Sequence, residues 1–123
     1  MNKQSGFTLI ELMVVTAILA IIVTIGYPLY VEQSYKARRA DAKTALTDAA
    51  QTIERCRTNT NTYVGCYSTQ NSPEGYYQVT YSATASTYTL TATAQGVQAK
   101  DTDCASFTFT HTGNKGATSS KCW

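Results

Sequence analysis

A chain of 123 residues with 15% charged side chains has room for one domain of ordinary size and none for a multidomain enzyme. Its 43% hydrophobic content misleads as an average, because positions 7–25 (FTLIELMVVTAILAIIVTI) hold most of the Leu, Ile, Val and Met while the rest is rich in Thr, Ser, Ala and Tyr. The formal charge of +2 is too small to identify a partner, since nucleic-acid binders carry clustered cations and a pI above the 8.3 of this chain.

As a helix, the 19 residues of the apolar run are roughly 28 Å long, close to the ~30 Å of a bilayer's hydrocarbon core. Three readings compete: a secretory signal peptide, a permanent anchor, and a helix that leaves the membrane for a protein assembly. A signal peptide wants small residues at the end of a shorter run, and Thr24-Ile25-Gly26-Tyr27-Pro28 offers no A-x-A. An ordinary anchor has no use for Glu11, because an acid at the centre of a membrane helix costs about 2.5–3.5 kcal/mol. Near one end of the run, the same carboxylate can snorkel to the interface. Lys3 precedes the run and Lys36, Arg38, Arg39 and Lys43 follow it, so the positive-inside rule alone would place the larger part in the cytoplasm.

Met1-Asn2-Lys3-Gln4-Ser5-Gly6 followed by Phe7-Thr8-Leu9-Ile10-Glu11-Leu12-Met13-Val14-Val15 resembles the leader and N-terminal helix of type IV pilins and of type II secretion pseudopilins. The resemblance implies residues 1–6 as a leader removed by a prepilin peptidase between Gly6 and Phe7, with N-methylation of Phe7. It implies residues 7–28 as a helix resident first in the inner membrane, as a single pass, and later in the filament core. Residues 29–123 become a periplasmic, then extracellular, globular domain, which overrides the positive-inside vote. Cleavage would create an α-amine at Phe7 that is mostly protonated at neutral pH. An unpaired carboxylate is costly in an apolar bundle and a charge-paired one is tolerable, so the family's pairing of Glu11 with the Phe7 amine of a neighbour makes Glu11 an assembly register.

Gly26 and Pro28 follow the apolar run, where Gly weakens a helix and Pro kinks it. Residues 32–57 hold many Ala, Arg, Lys, Gln and Glu and no further Gly or Pro, so the helix is expected to bend and continue. Ala42, Leu46, Ala49, Ile53 and Cys56 form one apolar stripe, and Lys36, Arg39, Lys43, Asp48, Glu54 and Arg55 lie mostly off it.

From Gly75 the period changes to two. Tyr77, Val79 and Tyr81 alternate with polar residues, as do Tyr88, Leu90, Ala92 and Ala94, and then Phe107, Phe109 and His111. These predict three half-buried strands in an antiparallel meander, with Gly113-Asn114-Lys115-Gly116 as a turn cluster. The fold class is therefore α+β: a pilin-like long kinked helix on a small antiparallel sheet, held by two disulfides. Four cysteines allow three pairings, and locality favours Cys56–Cys66 and Cys104–Cys122. Each bridge would close a short loop, worth roughly 3 kcal/mol, and would need an oxidising compartment. Zinc is the rival, but the spacings lack short paired knuckles and His111 is the only histidine. In pilins the region between the last two cysteines is a surface loop that often makes adhesive or receptor contacts.

Catalytic chemistry is not in evidence: His111 has no motif around it, and its spacing from Phe107 and Phe109 predicts a packed or edge-strand residue. Asp101 and Asp103 offer too few oxygens for the calcium site of some pseudopilins and are expected in a solvated loop. Neither a cofactor nor a metal is expected.

Arg38-Arg39-Ala40-Asp41-Ala42-Lys43-Thr44-Ala45-Leu46, Glu54-Arg55-Cys56, Gly75-Tyr76-Tyr77, Tyr88-Thr89-Leu90-Thr91-Ala92, Asp101-Thr102-Asp103-Cys104 and Cys122-Trp123 together resemble the small minor pilins that include DNA-uptake receptors. Residues 36–123 hold nine Lys and Arg against six Asp and Glu, 9 − 6 = +3. Arg55, Arg57, Lys100, Lys115 and Lys121 could form a phosphate-contacting stripe with exposed Tyr, or simply a mildly basic surface. The function these features predict is a structural subunit of a type IV pilus, of minor-pilin type, serving adhesion, twitching motility or DNA uptake. Its partners would be other pilin subunits, prepilin peptidase, the inner-membrane assembly machinery and, in the DNA reading, DNA. The alternatives are a DNA-binding uptake receptor and a type II secretion pseudopilin.

Overall fold

The computed structural model describes residues 3–123, so Met1 and Asn2 lie outside it. One helix, α1 (Leu9–Thr60), is followed by β1 (Gln70–Asn71), β2 (Tyr77–Ala83), β3 (Tyr88–Ala94), two short 3₁₀ turns (Gly96–Lys100 and Thr102–Cys104), β4 (Ser106–Thr110) and β5 (Lys115–Ala117). The chain divides into two compact units between Ser34 and Tyr35.

In the first unit α1 begins at a reciprocal cap. The Thr8 hydroxyl accepts from the Glu11 amide at 3.3 Å and a Glu11 carboxylate oxygen faces the Thr8 amide at 3.5 Å, the T-x-x-E pattern of a capping box. The helix runs on through Gly26 and Pro28 as expected. From Phe7, just before the helix and 88% exposed, through Leu9, Ile18 and Ile25 to Leu29, the large apolar side chains are exposed. Thr16 and Thr24 return their hydroxyls to the carbonyls of Met13 and Ile21 at 3.0 and 2.8 Å, so neither presents an unsatisfied donor to apolar surroundings. Among the described residues this is the one helix long and apolar enough to cross a membrane.

In the second unit the helix buries Asp41, Ala42, Ala45, Leu46, Ala49, Ala50 and Ile53, the expected stripe with an acid added. Cys56, at the stripe's end, is half-buried. Four alanines, Ala42, Ala45, Ala49 and Ala50, flank Leu46 and Ile53 on this buried face. Asn61 then ends α1 with φ 61, its amide donating to the Arg57 carbonyl at 2.8 Å, a left-handed stop that Asn tolerates.

The sheet is antiparallel throughout, in the order β1-β2-β3-β4-β5. All three predicted strands are present, and their register builds two rows across the sheet. One runs Val79–Ala92–Phe107–Ala117 and the other Tyr81–Leu90–Phe109–Lys115. Directly opposed residues share a face, so the first row interleaves small and large side chains under the helix. Tyr77, Val79, Leu90, Ala92 and Phe107 are essentially inaccessible.

The sequence pattern missed β1 and β5, which are too short to show alternation. Lys115 and Gly116, expected in a turn, begin β5; a side chain on Gly116 would strike the Thr108 hydroxyl, so glycine there permits close strand approach. His111 is a second correction: it follows β4 in the turn and is exposed, with its ring centroid 6.4 Å from that of Tyr88. Both disulfides follow locality, Cys56–Cys66 and Cys104–Cys122, with Cα separations of 5.6 and 5.7 Å.

Candidate functional site

Two regions hold the residues with functional chemistry, and each belongs to one unit. At the N-terminus Gly6 and Phe7 precede the helix and are exposed. Glu11 sits in the first turn, where a carboxylate complements the helix dipole as well as capping Thr8. This local role was readable in Thr8-Leu9-Ile10-Glu11 and is additional to any pairing with a neighbour.

Polar bonds fasten the globular domain to residues 35–60 at two points that sequence periodicity did not reveal. Asp41, 6% exposed, accepts from the Ser72 hydroxyl and from the amides of Glu74 and Tyr76 at 3.1 and 3.3 Å, pinning the loop before β2. Ser72 in turn accepts from the Tyr77 amide at 3.0 Å. The second fastening joins Arg39 to Asp101, whose two carboxylate oxygens take Nε and Nη2 at 2.7 and 2.8 Å. Asp101 is therefore a buried ion-pair partner and not a member of a solvated loop; Asp103 alone is exposed. The hydrogen bond to Asp101 and its negative charge raise the Arg39 pKa against the opposing effect of burial. Gln98, fully buried, donates from Nε2 to Asp101, the Tyr77 hydroxyl and the Tyr35 carbonyl at 3.1–3.2 Å.

These bonds change the charge arithmetic of the surface. Removing Arg39, Asp41 and Asp101 from the count for residues 36–123 leaves eight cations and four carboxylates, 8 − 4 = +4. Three cations rest on aromatic rings: Arg38 over Tyr76 at 4.8 Å, Arg57 over Tyr63 at 4.3 Å and Lys115 over Trp123 at 5.1 Å. Such contacts hold the charge in place without neutralising it.

The five candidate phosphate contacts do not form one cluster. Arg55 lines a groove of about 500 Å³ between α1 and the β4–β5 turn, where His111 and Gly113 form the other wall. Lys115 ends the inward-facing row that contains Phe109, which lies in the same groove. Arg57 points to the β2–β3 turn, donating to the Ala85 carbonyl at 3.4 Å. Lys121 is exposed beside the Cys104–Cys122 bridge. Lys100 adjoins Asp101 and hence Arg39, which is 18 helix positions, or about 27 Å, from Arg57.

An aromatic row supports the groove. The Tyr63 and Tyr88 rings meet edge to face at 4.9 Å, and the Tyr63 hydroxyl donates to Glu54 at 3.1 Å. Burial, then the negative charge of Glu54, pushes the Tyr88 pKa up to about 12. Trp123 closes the C-terminal bridge region by packing against Phe107 at 5.6 Å, its indole N–H donating to the Gly116 carbonyl.

Comparison with known proteins gives a consistent result. Residues 1–27 match the prokaryotic N-terminal methylation motif, and residues 28–108 match the family described as type IV minor pilin ComP, DNA uptake sequence receptor. The chain is 53% identical over 58 residues to prepilin peptidase-dependent protein D of Escherichia coli (strain K12), a stretch covering 47% of this chain and 35% of that protein. It is 41% identical over 59 residues to a fimbrial protein of Moraxella nonliquefaciens, covering 48% and 38% respectively. These alignments span well under half the length of those relatives. A solved type IV pilin from Shewanella oneidensis matches with a TM-score of 0.59 and 30% identity, over 72% of this chain and 97% of that one.

Proposed function

The chain belongs to the type IV minor pilins of the ComP family, a structural subunit and not an enzyme, and from that premise we propose that it joins the pilus as a processed subunit whose globular domain receives DNA. Cleavage between Gly6 and Phe7 leaves an amine that is N-methylated, and Glu11 pairs with the Phe7 amine of a neighbouring subunit to set the register. Before assembly the bare apolar helix lies in the inner membrane; afterwards lateral packing covers it and the domain is extracellular. Gly26 and Pro28 mark where this helix bends and can melt locally under tension.

The observation that carries the DNA reading is the surface imbalance of +4, with Arg57 and Lys115 held on aromatic rings, paired with no carboxylate among the described residues. Held cations of this kind contact phosphates at little cost in side-chain ordering. Filter binding of the full chain in detergent micelles to duplex DNA across a salt series tests it. Affinity should fall steeply as salt rises, and Arg57→Gln with Lys115→Gln should flatten the slope by about 2. Absence of salt-dependent binding at low ionic strength refutes DNA reception and leaves a filament subunit without a nucleic-acid role.

A further inference from the structure

The groove between α1 and the β4–β5 turn contains more than cations. Its floor is Ala50, Phe109 and the edge of Tyr88, and its walls carry Gln51, Glu54 and Arg55 from the helix, with His111 opposite. Phe109 is half-buried and lines the space, whereas Gln51, Glu54, Arg55 and His111 are exposed around it. At about 500 Å³ the space falls in the range of small-ligand sites.

This combination is specific in its chemistry. A phosphate alone needs no aromatic floor and is repelled by the Glu54 carboxylate. A hydrocarbon alone makes no use of Gln51, Glu54 and Arg55. A planar ring bearing an amino group and tethered to a phosphate uses all of them. The ring lies against Phe109, Glu54 accepts from the exocyclic amine, the Gln51 amide both donates and accepts, and Arg55 with His111 meets the phosphate. Glu54 is aimed by the Tyr63 hydroxyl, which donates to its two oxygens at 3.1 and 3.3 Å.

We infer that this groove is a pocket for one unstacked nucleobase of DNA, with preference for the amino-bearing bases over thymine, so that the domain engages single-stranded or frayed positions in addition to the phosphate backbone. The inference rests on the DNA reading above. A base inside a duplex offers only its groove edges, and its faces are covered by stacking, so a ring can reach Phe109 only after leaving the stack. Thymine presents a carbonyl where cytosine presents an amine, which places two acceptors face to face at Glu54.

The test is fluorescence anisotropy with the full chain in detergent micelles and four labelled probes: an oligo-dC strand, an oligo-dT strand, an abasic strand of the same length, and a blunt duplex. The dC strand should bind at least tenfold more tightly than the abasic strand, and more tightly than dT. Gln51→Ala and Phe109→Leu should bring dC binding down to the abasic level while leaving abasic binding unchanged, and Glu54→Gln should erase the preference for dC over dT. Gln51 is exposed on the helix, so its variant keeps the test valid even where Phe109→Leu disturbs packing. Equal affinity for dC and abasic strands, or Gln51→Ala binding dC as the unaltered chain does, overturns the pocket and leaves backbone contact intact. Failure to bind any of the four probes at low salt overturns the DNA reading itself.

Discussion

Replacing Asp101 with Asn removes one charge and almost no volume from the fastening at Arg39. The guanidinium then loses one of two charge-assisted bonds and faces an amide N–H₂ in place of an oxygen, while Gln98 Nε2 loses an anionic acceptor. Removing one partner of a fully buried ion pair costs about 3–5 kcal/mol. Arg39 is 13% exposed against 4% for Asp101, so the guanidinium can recover some hydration, and the expected loss is about 2–3 kcal/mol. For a compact unit comprising residues 35–123 this corresponds to about 10–20 °C in Tm. The assay is urea and thermal unfolding of the full chain in micelles, followed by the fluorescence of Trp123, the only tryptophan, which packs on Phe107 and so reports the globular domain. Hydrogen exchange should quicken first near Tyr35 and Arg39, where Gln98 and Asp101 attach. Asp103→Asn, two residues away and exposed, is the control and should lie within about 0.5 kcal/mol of the unaltered chain. An Asp101→Asn loss as small as that of the control would refute a stabilising role for the ion pair.

Glu11→Val should leave membrane insertion intact and abolish or sharply reduce incorporation into sheared pili; normal piliation would sink the register assignment. Alkaline titration should reveal delayed tyrosines, since burial raises Tyr63, Tyr67, Tyr77 and Tyr81, and burial with Glu54 raises Tyr88 to about 12. Their ordinary pKa is about 10, so the unfolded chain ionises first: their contribution to stability is complete below pH ~10 and is lost as pH rises towards 12. Ultraviolet tyrosinate absorbance in which every tyrosine ionises together near pH 10 while circular dichroism remains folded would contradict this. Replacing both Cys104 and Cys122 with Ser opens a loop of sequence separation 18 and should cost about 3 kcal/mol in the same urea assay, with a loss under about 1 kcal/mol counting against it.

Features set by local pattern were legible in the sequence. The apolar run, the leader motif, the stripe Ala42–Leu46–Ala49–Ile53 and the three alternating strands each depend on a period of a few residues. The two disulfides also followed from short separations. The T-x-x-E cap at Thr8 and Glu11 is equally local. The two-residue β1 and three-residue β5 were not legible, because strands so short are specified by their pairing partners and not by alternation.

The amino-acid sequence therefore determined that an apolar helix precedes a small helix-on-sheet domain held by local bridges. Tertiary structure decided which of its charges face water. Asp101 and Asp103 look alike in sequence, yet only Asp101 meets Arg39, from 62 positions away, and Asp41 disappears beneath the loop at Ser72. The same packing separates Lys100 from Arg57 and brings Arg55, Phe109 and His111 around one groove. Periodicity records which face a residue occupies, but ion pairing and pocket formation depend on distances closed only when helix and sheet meet.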